Sequence, residues 1–151
     1  MVTSEGFDKE KRDNNHLQKR EAAIVPASLP DRNVLVVEDD PFNQSFMQNL
    51  LRYWKANADI SENGWEAIKL LRRKSYDLVL MDIEMPVMNG LQTIDYIRKE
   101  LKLNVPVIAV SANMEDETKR QAKEKGMNDY VEKPFDPDRL WSKISNHLQH
   151  G

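Results

Sequence analysis

Asp82 follows the apolar run Leu78-Val79-Leu80-Met81, and the acids Glu38-Asp39-Asp40 follow Val34-Leu35-Val36-Val37. Two more apolar runs end in groups of different chemistry. Val107-Ile108-Ala109-Val110 runs into Ser111-Ala112, and Tyr130-Val131-Glu132 into Lys133-Pro134-Phe135. A reactive side chain at the end of a buried strand sits where an open α/β sheet places ligands. An acid pair, a lone Asp, a hydroxyl and a lysine make a set suited to moving a phosphoryl group onto Asp82 with a divalent cation present.

The chemistry follows from the charges. Glu38, Asp39 and Asp82 repel one another if they meet; two unit charges ~4 Å apart cost about 4 kcal/mol at an effective dielectric of ~20. Such a cluster holds protons or binds a cation. Its oxygen-only ligands favour a hard ion, Mg²⁺ before Ca²⁺, because few protein ligands are offered and water completes the shell. Lys133 is a compact cation able to pair with a phosphoryl oxygen, and Ser111 can donate a hydrogen bond to another. Asp82 can then act as nucleophile and become an aspartyl phosphate. Phosphoryl transfer asks mainly for positioning and charge neutralisation, which this set supplies.

Distant residues form one pocket only if the elements bring them together. The sequence predicts strands at Asn33–Val37, Ala58–Ser61, Leu78–Asp82, Val107–Val110 and Asp129–Glu132, the second having the weak pattern of an edge. Apolar stripes predict helices between them: Phe42, Phe46, Met47, Leu50, Leu51 and Trp54; Trp65, Ile68 and Leu71; Leu91, Ile94, Ile97 and Leu101; and Leu140, Trp141, Ile144 and Leu148. Trp54, Trp65 and Trp141 are assigned to core faces. Asp40-Pro41 and Asp136-Pro137 read as N-caps followed by proline, Asn63 with Glu66 as a capping box, and Gly126 as the left-handed end of a helix over Glu115–Lys125. That helix has Ala122 as its one clearly apolar interior residue and is expected to dock weakly. Its acidic start suits a helix N-terminus. The methionines near the site, Met81, Met85, Met88, Met114 and Met127, are read as gap-fillers.

Five strands alternating with five helices predict an α/β, flavodoxin-like (βα)5 three-layer sandwich with a parallel sheet in the order 2-1-3-4-5. In that order Glu38, Asp39, Asp82, Ser111 and Lys133 share one sheet edge. Residues 1–30, mostly charged or amide-bearing from Phe7 to Glu21 and with a short loop bracketed by Pro26 and Pro30, are read as a flexible tail or linker with a little helix near Asn15–Ala23, and His16 there as a solvated histidine. Residues 31–149 form the folded domain.

Composition closes off other functions. The chain has 151 residues, 22 Lys plus Arg, 25 Asp plus Glu and a net charge of −3, with no cysteine. Disulfides, thiolate metal sites and cysteine nucleophiles are excluded. No basic cluster argues for nucleic acid. No apolar stretch has the length of a membrane span, and no signal-peptide core is visible, so a cytoplasmic location is the default. Neither a P-loop nor a dinucleotide glycine fingerprint is present.

Residues 31–149 resemble a response-regulator receiver domain of two-component phosphorelays. The resemblance rests on Val-Val-Glu-Asp-Asp at 36–40, Met-Asp-Ile-Glu-Met-Pro-Val-Met-Asn-Gly at 81–90, Ser-Ala at 111–112 and Tyr-Val-Glu-Lys-Pro-Phe at 130–135. The wording at 81–90 and at Gly-Met-Asn-Asp-Tyr, 126–130, is most similar to receivers of hybrid sensor histidine kinases. The resemblance implies that Asp82 is the phosphoacceptor. It implies Mg²⁺, with Mn²⁺ the alternative, held by Asp39, Asp82 and the backbone carbonyl of Glu84, with Glu38 acting through water. Ser111 and Tyr130 would be the switch pair, Tyr130 turning inward, and Lys133 would pair with the phosphoryl group. The Lys133–Pro134 bond is expected to be cis.

Ala112 would leave room for a donor, and Glu84 and Asn113 would face it and tune phosphoryl lifetime. The donor would be a phospho-His protein, a histidine kinase or a phosphotransfer protein, docking near Asn43, Phe46 and Met47. The output face would span residues 114–146, with dimerisation through the fourth helix, fifth strand and fifth helix. The domain would catalyse its own phosphorylation and dephosphorylation without being an enzyme on a separate metabolite. It would stand alone or belong to a hybrid kinase. Two alternatives stay open: a degenerate receiver that only binds, and a haloacid-dehalogenase-type phosphatase, which would want an Asp where Glu84 stands.

Overall fold

The computed structural model describes residues 28–149. The tail reading, its short helix near Asn15–Ala23 and His16 lie outside the described residues. Five strands, β1 (Asn33–Val37), β2 (Asn57–Ser61), β3 (Leu78–Met81), β4 (Val107–Ser111) and β5 (Asp129–Glu132), alternate with α1 (Pro41–Tyr53), α2 (Gly64–Arg73), α3 (Gly90–Lys99), α4 (Asp116–Lys125) and α5 (Pro137–Gln149). The sheet is parallel throughout, in the order β2-β1-β3-β4-β5.

Strand side chains alternate between two cores. Leu35, Val37, Val79, Met81, Val107 and Ala109 pack with Ala67 and Leu71 of α2, Ile94 and Ile97 of α3 and Ala122 of α4. Val34, Val36, Leu78, Leu80, Ile108 and Val110 pack with Met47 and Leu51 of α1 and Leu140 and Ile144 of α5. Burial on both faces explains why β1, β3 and β4 read as continuous apolar runs. β2 pairs only with β1 and carries Asn57 and Asp59, as suits an edge. Met81, Met88, Met114 and Met127 are buried as fillers.

Strand ends differ from expectation by one residue. β4 continues to Ser111 because Ser111 registers with Glu132, β2 starts at Asn57 paired with Asn33, and β3 stops at Met81 so that Asp82 projects beyond the ladder. Asp40 accepts from the backbone N–H of Asn43 at 2.9 Å and Asp136 from that of Arg139 at 2.8 Å, capping the helices that begin at Pro41 and Pro137. Asn63 caps α2 through Glu66 N–H at 2.9 Å. The return bond is not made; the Glu66 carboxylate points to Lys69, 3.4 Å away. The reciprocal capping box is at Asn89 and Gln92, at the start of α3. Gly126 has φ 111° and ends α4, whose only buried residue is Ala122.

Three aromatic assignments are corrected. Phe42 is 78% exposed, Phe46 42% and Trp65 46%. A helix buries only the part of its apolar stripe that faces the sheet, and these residues lie at the stripe's edge or at the end of the helix beyond it. Trp54 is buried and stacks at a tilt on Trp141, with 5.2 Å between ring centroids.

Candidate functional site

The parallel sheet aligns the C-terminal ends of β1, β3, β4 and β5 along one edge, and the backbone fixes what emerges there. Glu38 N–H donates to Ser61 O at 2.9 Å and Asp82 N–H to Val37 O at 3.0 Å. Glu38, Asp39 and Asp82 thereby bring one carboxylate oxygen each within 4.8 Å of one another, with Glu38 and Asp82 buried and Asp39 exposed.

Lys133 closes the cluster from β5. Its Nζ lies 2.8 Å from Glu38 Oε2 and 3.4 Å from Asp82 Oδ2. The backbone N–H of Lys133 donates to Ser111 O at 2.9 Å, which locks the lysine to the end of β4. The Lys133–Pro134 bond is cis, as expected. The other Glu38 oxygen accepts from Asp40 N–H at 3.2 Å and from the Asn43 amide at 3.4 Å. Gln44 Nε2 donates to the Glu38 carbonyl at 2.6 Å. Asn43 and Gln44 as supports of Glu38 escaped the sequence reading; their signal was polar side chains in the first turn of an otherwise apolar-striped helix.

The electrostatics follow from burial. Desolvation lifts the Asp82 carboxyl to about 6. The neighbouring Glu38 charge adds to the rise, while Lys133 and the N–H of Glu84, 3.1 Å from Oδ1, oppose it. Burial works against the Lys133 ammonium, but its bonds to Glu38 and Asp82 outweigh that and hold its pKa above the ordinary lysine value. Two charges of opposite sign thus sit side by side, mostly ionised at neutral pH.

Ser111 is fully buried, and its hydroxyl accepts a long bond from Asn113 N–H at 3.4 Å. Ala112 is exposed beside it and lines a cavity of about 350 Å³ shared with Asp82, Lys133, Phe42, Phe46 and Phe135. Glu84 and Asn113 bond to each other, Nδ2 to Oε1 at 3.1 Å. Tyr130 points outward and is 37% exposed. Met47, expected on the docking surface, is 4% exposed and belongs to the core. The exposed residues there are Phe42 and Phe46.

The acid cluster fits Mg²⁺: three carboxylates from two adjoining strand ends, no nitrogen or sulfur donor among them, and Asp39 open to water. Among the described residues no helix is long and apolar enough to cross a membrane.

Comparison with known proteins bears on the same residues. The model of the response regulator receiver domain matches residues 34–145. The chain is 36% identical over 118 residues to the transcriptional regulatory protein ZraR of Escherichia coli (strain K12), covering 78% of this chain and 26% of that protein. It is 35% identical over 119 residues to the autoinducer 2 sensor kinase/phosphatase LuxQ of Vibrio parahaemolyticus, covering 78% of this chain and 14% of LuxQ. The chain therefore spans about a quarter or less of these relatives. Among solved structures, the receiver domain of sensor histidine kinase PA1611 from Pseudomonas aeruginosa PAO1 is 32% identical with a TM-score of 0.72, covering 78% of this chain and 98% of that one. That structure holds a magnesium ion in its active site cleft. The response regulator TrrA of Thermotoga maritima is 32% identical with a TM-score of 0.71, covering 78% and 99%. The family match sets the phosphatase reading aside. With its β2-β1-β3-β4-β5 sheet and its match over residues 34–145, this chain belongs to the response regulator receiver domain family of two-component signalling.

Proposed function

We propose that Asp82 accepts a phosphoryl group from a phospho-His protein and that the resulting charge switches the surface formed by α4, β5 and α5. The observation that carries this reading is the Asp82 carboxylate beside Lys133 Nζ at 3.4 Å, in a cluster with Glu38 and Asp39. An Asp82 oxygen attacks phosphorus, and the bond from phosphorus to the donor's imidazole nitrogen breaks. The nitrogen keeps the electron pair, and with a proton on the donor's other ring nitrogen the histidine leaves as neutral imidazole. With a carboxyl pKa of about 6, most Asp82 side chains carry the anion needed for attack at neutral pH. Lys133 stays protonated and is ready to exchange a carboxylate for a phosphoryl oxygen. Asp39, Asp82, the Glu84 carbonyl and, through water, Glu38 would hold Mg²⁺, with Mn²⁺ the alternative, and the ion supplies neutralisation of the phosphoryl charge.

Ser111 then donates its hydroxyl to a phosphoryl oxygen, and Tyr130 turns inward toward the space this leaves. Ala112 keeps the mouth open. Glu84 and Asn113, joined at 3.1 Å, control water's approach and so the lifetime of the phosphoryl group. The donor docks over Phe42, Phe46 and Asn43, next to the cavity. The output surface supports a dimer when phosphorylated. The domain serves a hybrid kinase or a stand-alone regulator in the cytoplasm.

The test is discharge of a purified phospho-His phosphotransfer protein by the wild-type chain and by Asp82→Asn. Transfer of label to the wild type alone supports the reading. Label on both proteins places the acceptor elsewhere, and label on neither leaves a module that only binds.

A further inference from the structure

Two cations lie against the Tyr130 ring. Lys119 Nζ, from α4, lies 4.6 Å from the ring centroid, and Lys143 Nζ, from α5, lies 5.5 Å from it. The lysine on α5 is itself fixed. Asp129 binds Lys143 Nζ at 2.9 Å, His147 Nε2 at 3.1 Å and the backbone N–H of Tyr130 at 2.8 Å. The residue before the tyrosine therefore sets the ammonium against the tyrosine's own ring. On α4, Arg120 takes up both Glu117 and Glu124. Among the described residues Lys119 is in no salt bridge, so the ring is its main electrostatic partner. α4 buries only Ala122 and lacks a side-chain cap bond at its start; its C-terminal end is tied down by Arg98, which donates to Gly126 O at 2.9 and 3.1 Å, so the ring contact of Lys119 acts on the less anchored N-terminal half.

We infer that Lys119 and Lys143 are positioning residues that hold the Tyr130 ring outward and thereby set how far the unphosphorylated domain favours its resting state. The inference rests on Tyr130 being the aromatic that moves when Asp82 is phosphorylated. A ring that turns inward leaves both ammonium groups, and each exposed cation–ring contact is worth about a two- to fivefold bias in an equilibrium. The two lysines reach from different helices, so their contacts also tie α4 and α5 to β5 in the resting state. Phosphorylation must break this bridge before the surface can rearrange.

The experiment uses the full chain labelled with 3-fluorotyrosine, the Tyr130 resonance being assigned with Tyr130→Phe. Fluorine spectra are recorded for wild type, Lys119→Met, Lys119→Arg and Lys143→Met, with and without Mg²⁺ plus beryllium fluoride as a phosphoryl mimic. Mg²⁺-dependent labelling by a small acyl phosphate is timed on the same proteins. In the absence of the mimic, Lys119→Met should move the resonance toward the position that loaded wild type reaches, by about a two- to fivefold population change. Its labelling rate should rise by the same factor. Loss of a positive charge would by itself slow an anionic donor, so a faster rate cannot come from long-range electrostatics. Lys119→Arg, which keeps a cation on the ring, should restore the wild-type spectrum and rate. Lys143→Met should act in the same direction. A Tyr130 resonance that moves on loading but ignores Lys119→Met overturns the bridge. A resonance that loading does not move overturns the moving-aromatic reading beneath it.

Discussion

Asp82→Asn should make the metal-free protein more stable at neutral pH. Asp82 is 8% exposed and its carboxyl pKa rises from 3.8 to about 6, burial contributing most. In the unfolded chain the group ionises near its ordinary value, so between pH ~4 and ~6 the native state binds more protons than the unfolded one. Stability from this group is therefore present at the acid end, falls as pH rises through that window, and is flat above it. At 1.36 kcal/mol per pH unit the loss has an upper bound of about 3 kcal/mol. Because the cavity admits water, a discounted value of about 1–2 kcal/mol is expected. The attraction of Lys133 is already inside that net value. Asparagine keeps an oxygen for the Glu84 N–H at 3.1 Å and removes the charge, giving up the 3.4 Å contact of the other oxygen with Lys133 Nζ.

Urea unfolding followed by tryptophan fluorescence in EDTA, from pH 4 to pH 8, measures the difference. The variant should exceed wild type by about 1–2 kcal/mol at pH 7, and the gap should close near pH 4. Mg²⁺ at about ten times its dissociation constant should return roughly 1.4 kcal/mol to wild type and less to the variant. A variant less stable than wild type at pH 7, or a gap that does not change with pH, would refute the account of a strained carboxylate cluster.

Other substitutions probe the supports of the site. Lys133→Met leaves Glu38 and Asp82 facing each other without a cation and should cost about 2–3 kcal/mol in EDTA, somewhat below the usual loss for a buried pair because Lys133 is partly exposed; Mg²⁺ should recover part of it in the same urea melts. Gly90→Ala puts a Cβ 2.5 Å from the Asp82 carbonyl oxygen and 2.8 Å from Ile83 Cα, both backbone atoms, so the loop carrying Glu84 must shift. It should cost about 2–3 kcal/mol and weaken Mg²⁺ binding measured by isothermal titration calorimetry. Met47→Ala should lose about 2–4 kcal/mol of stability as a core truncation. Phe42→Ala should change stability by less than about 0.5 kcal/mol yet slow transfer from a phospho-His protein, as read by donor discharge.

Much of this architecture was legible because the strands of a doubly covered sheet must be apolar along their length. Val34–Val37 and Leu78–Met81 announce themselves, and the polar groups that follow each run mark the edge where the site lies. What was less legible depends on side-chain competition. Asn63 and Glu66 have the spacing of a capping box, but the glutamate lies 3.4 Å from Lys69 and makes no return bond. Asn89 and Gln92, with the same spacing, make both bonds of the box. Phe42, Phe46 and Trp65 continue an apolar stripe, yet the stripe's period says nothing of where the sheet ends beneath it. Glu84 and Asn113 sit 29 positions apart, and their bond at 3.1 Å requires β3 and β4 to be neighbours with both loops turned toward the mouth. The cations beside Tyr130 come from two different helices and have no signature in sequence spacing.

The most direct test of the central claim is intact-mass analysis, with peptide mapping, after incubation with a small acyl phosphate, with and without Mg²⁺, on wild type and Asp82→Asn. The account predicts one Mg²⁺-dependent phosphoryl adduct on wild type, mapped to Asp82 and absent from the variant. An adduct that persists in Asp82→Asn, or one that forms equally well in EDTA, would contradict it.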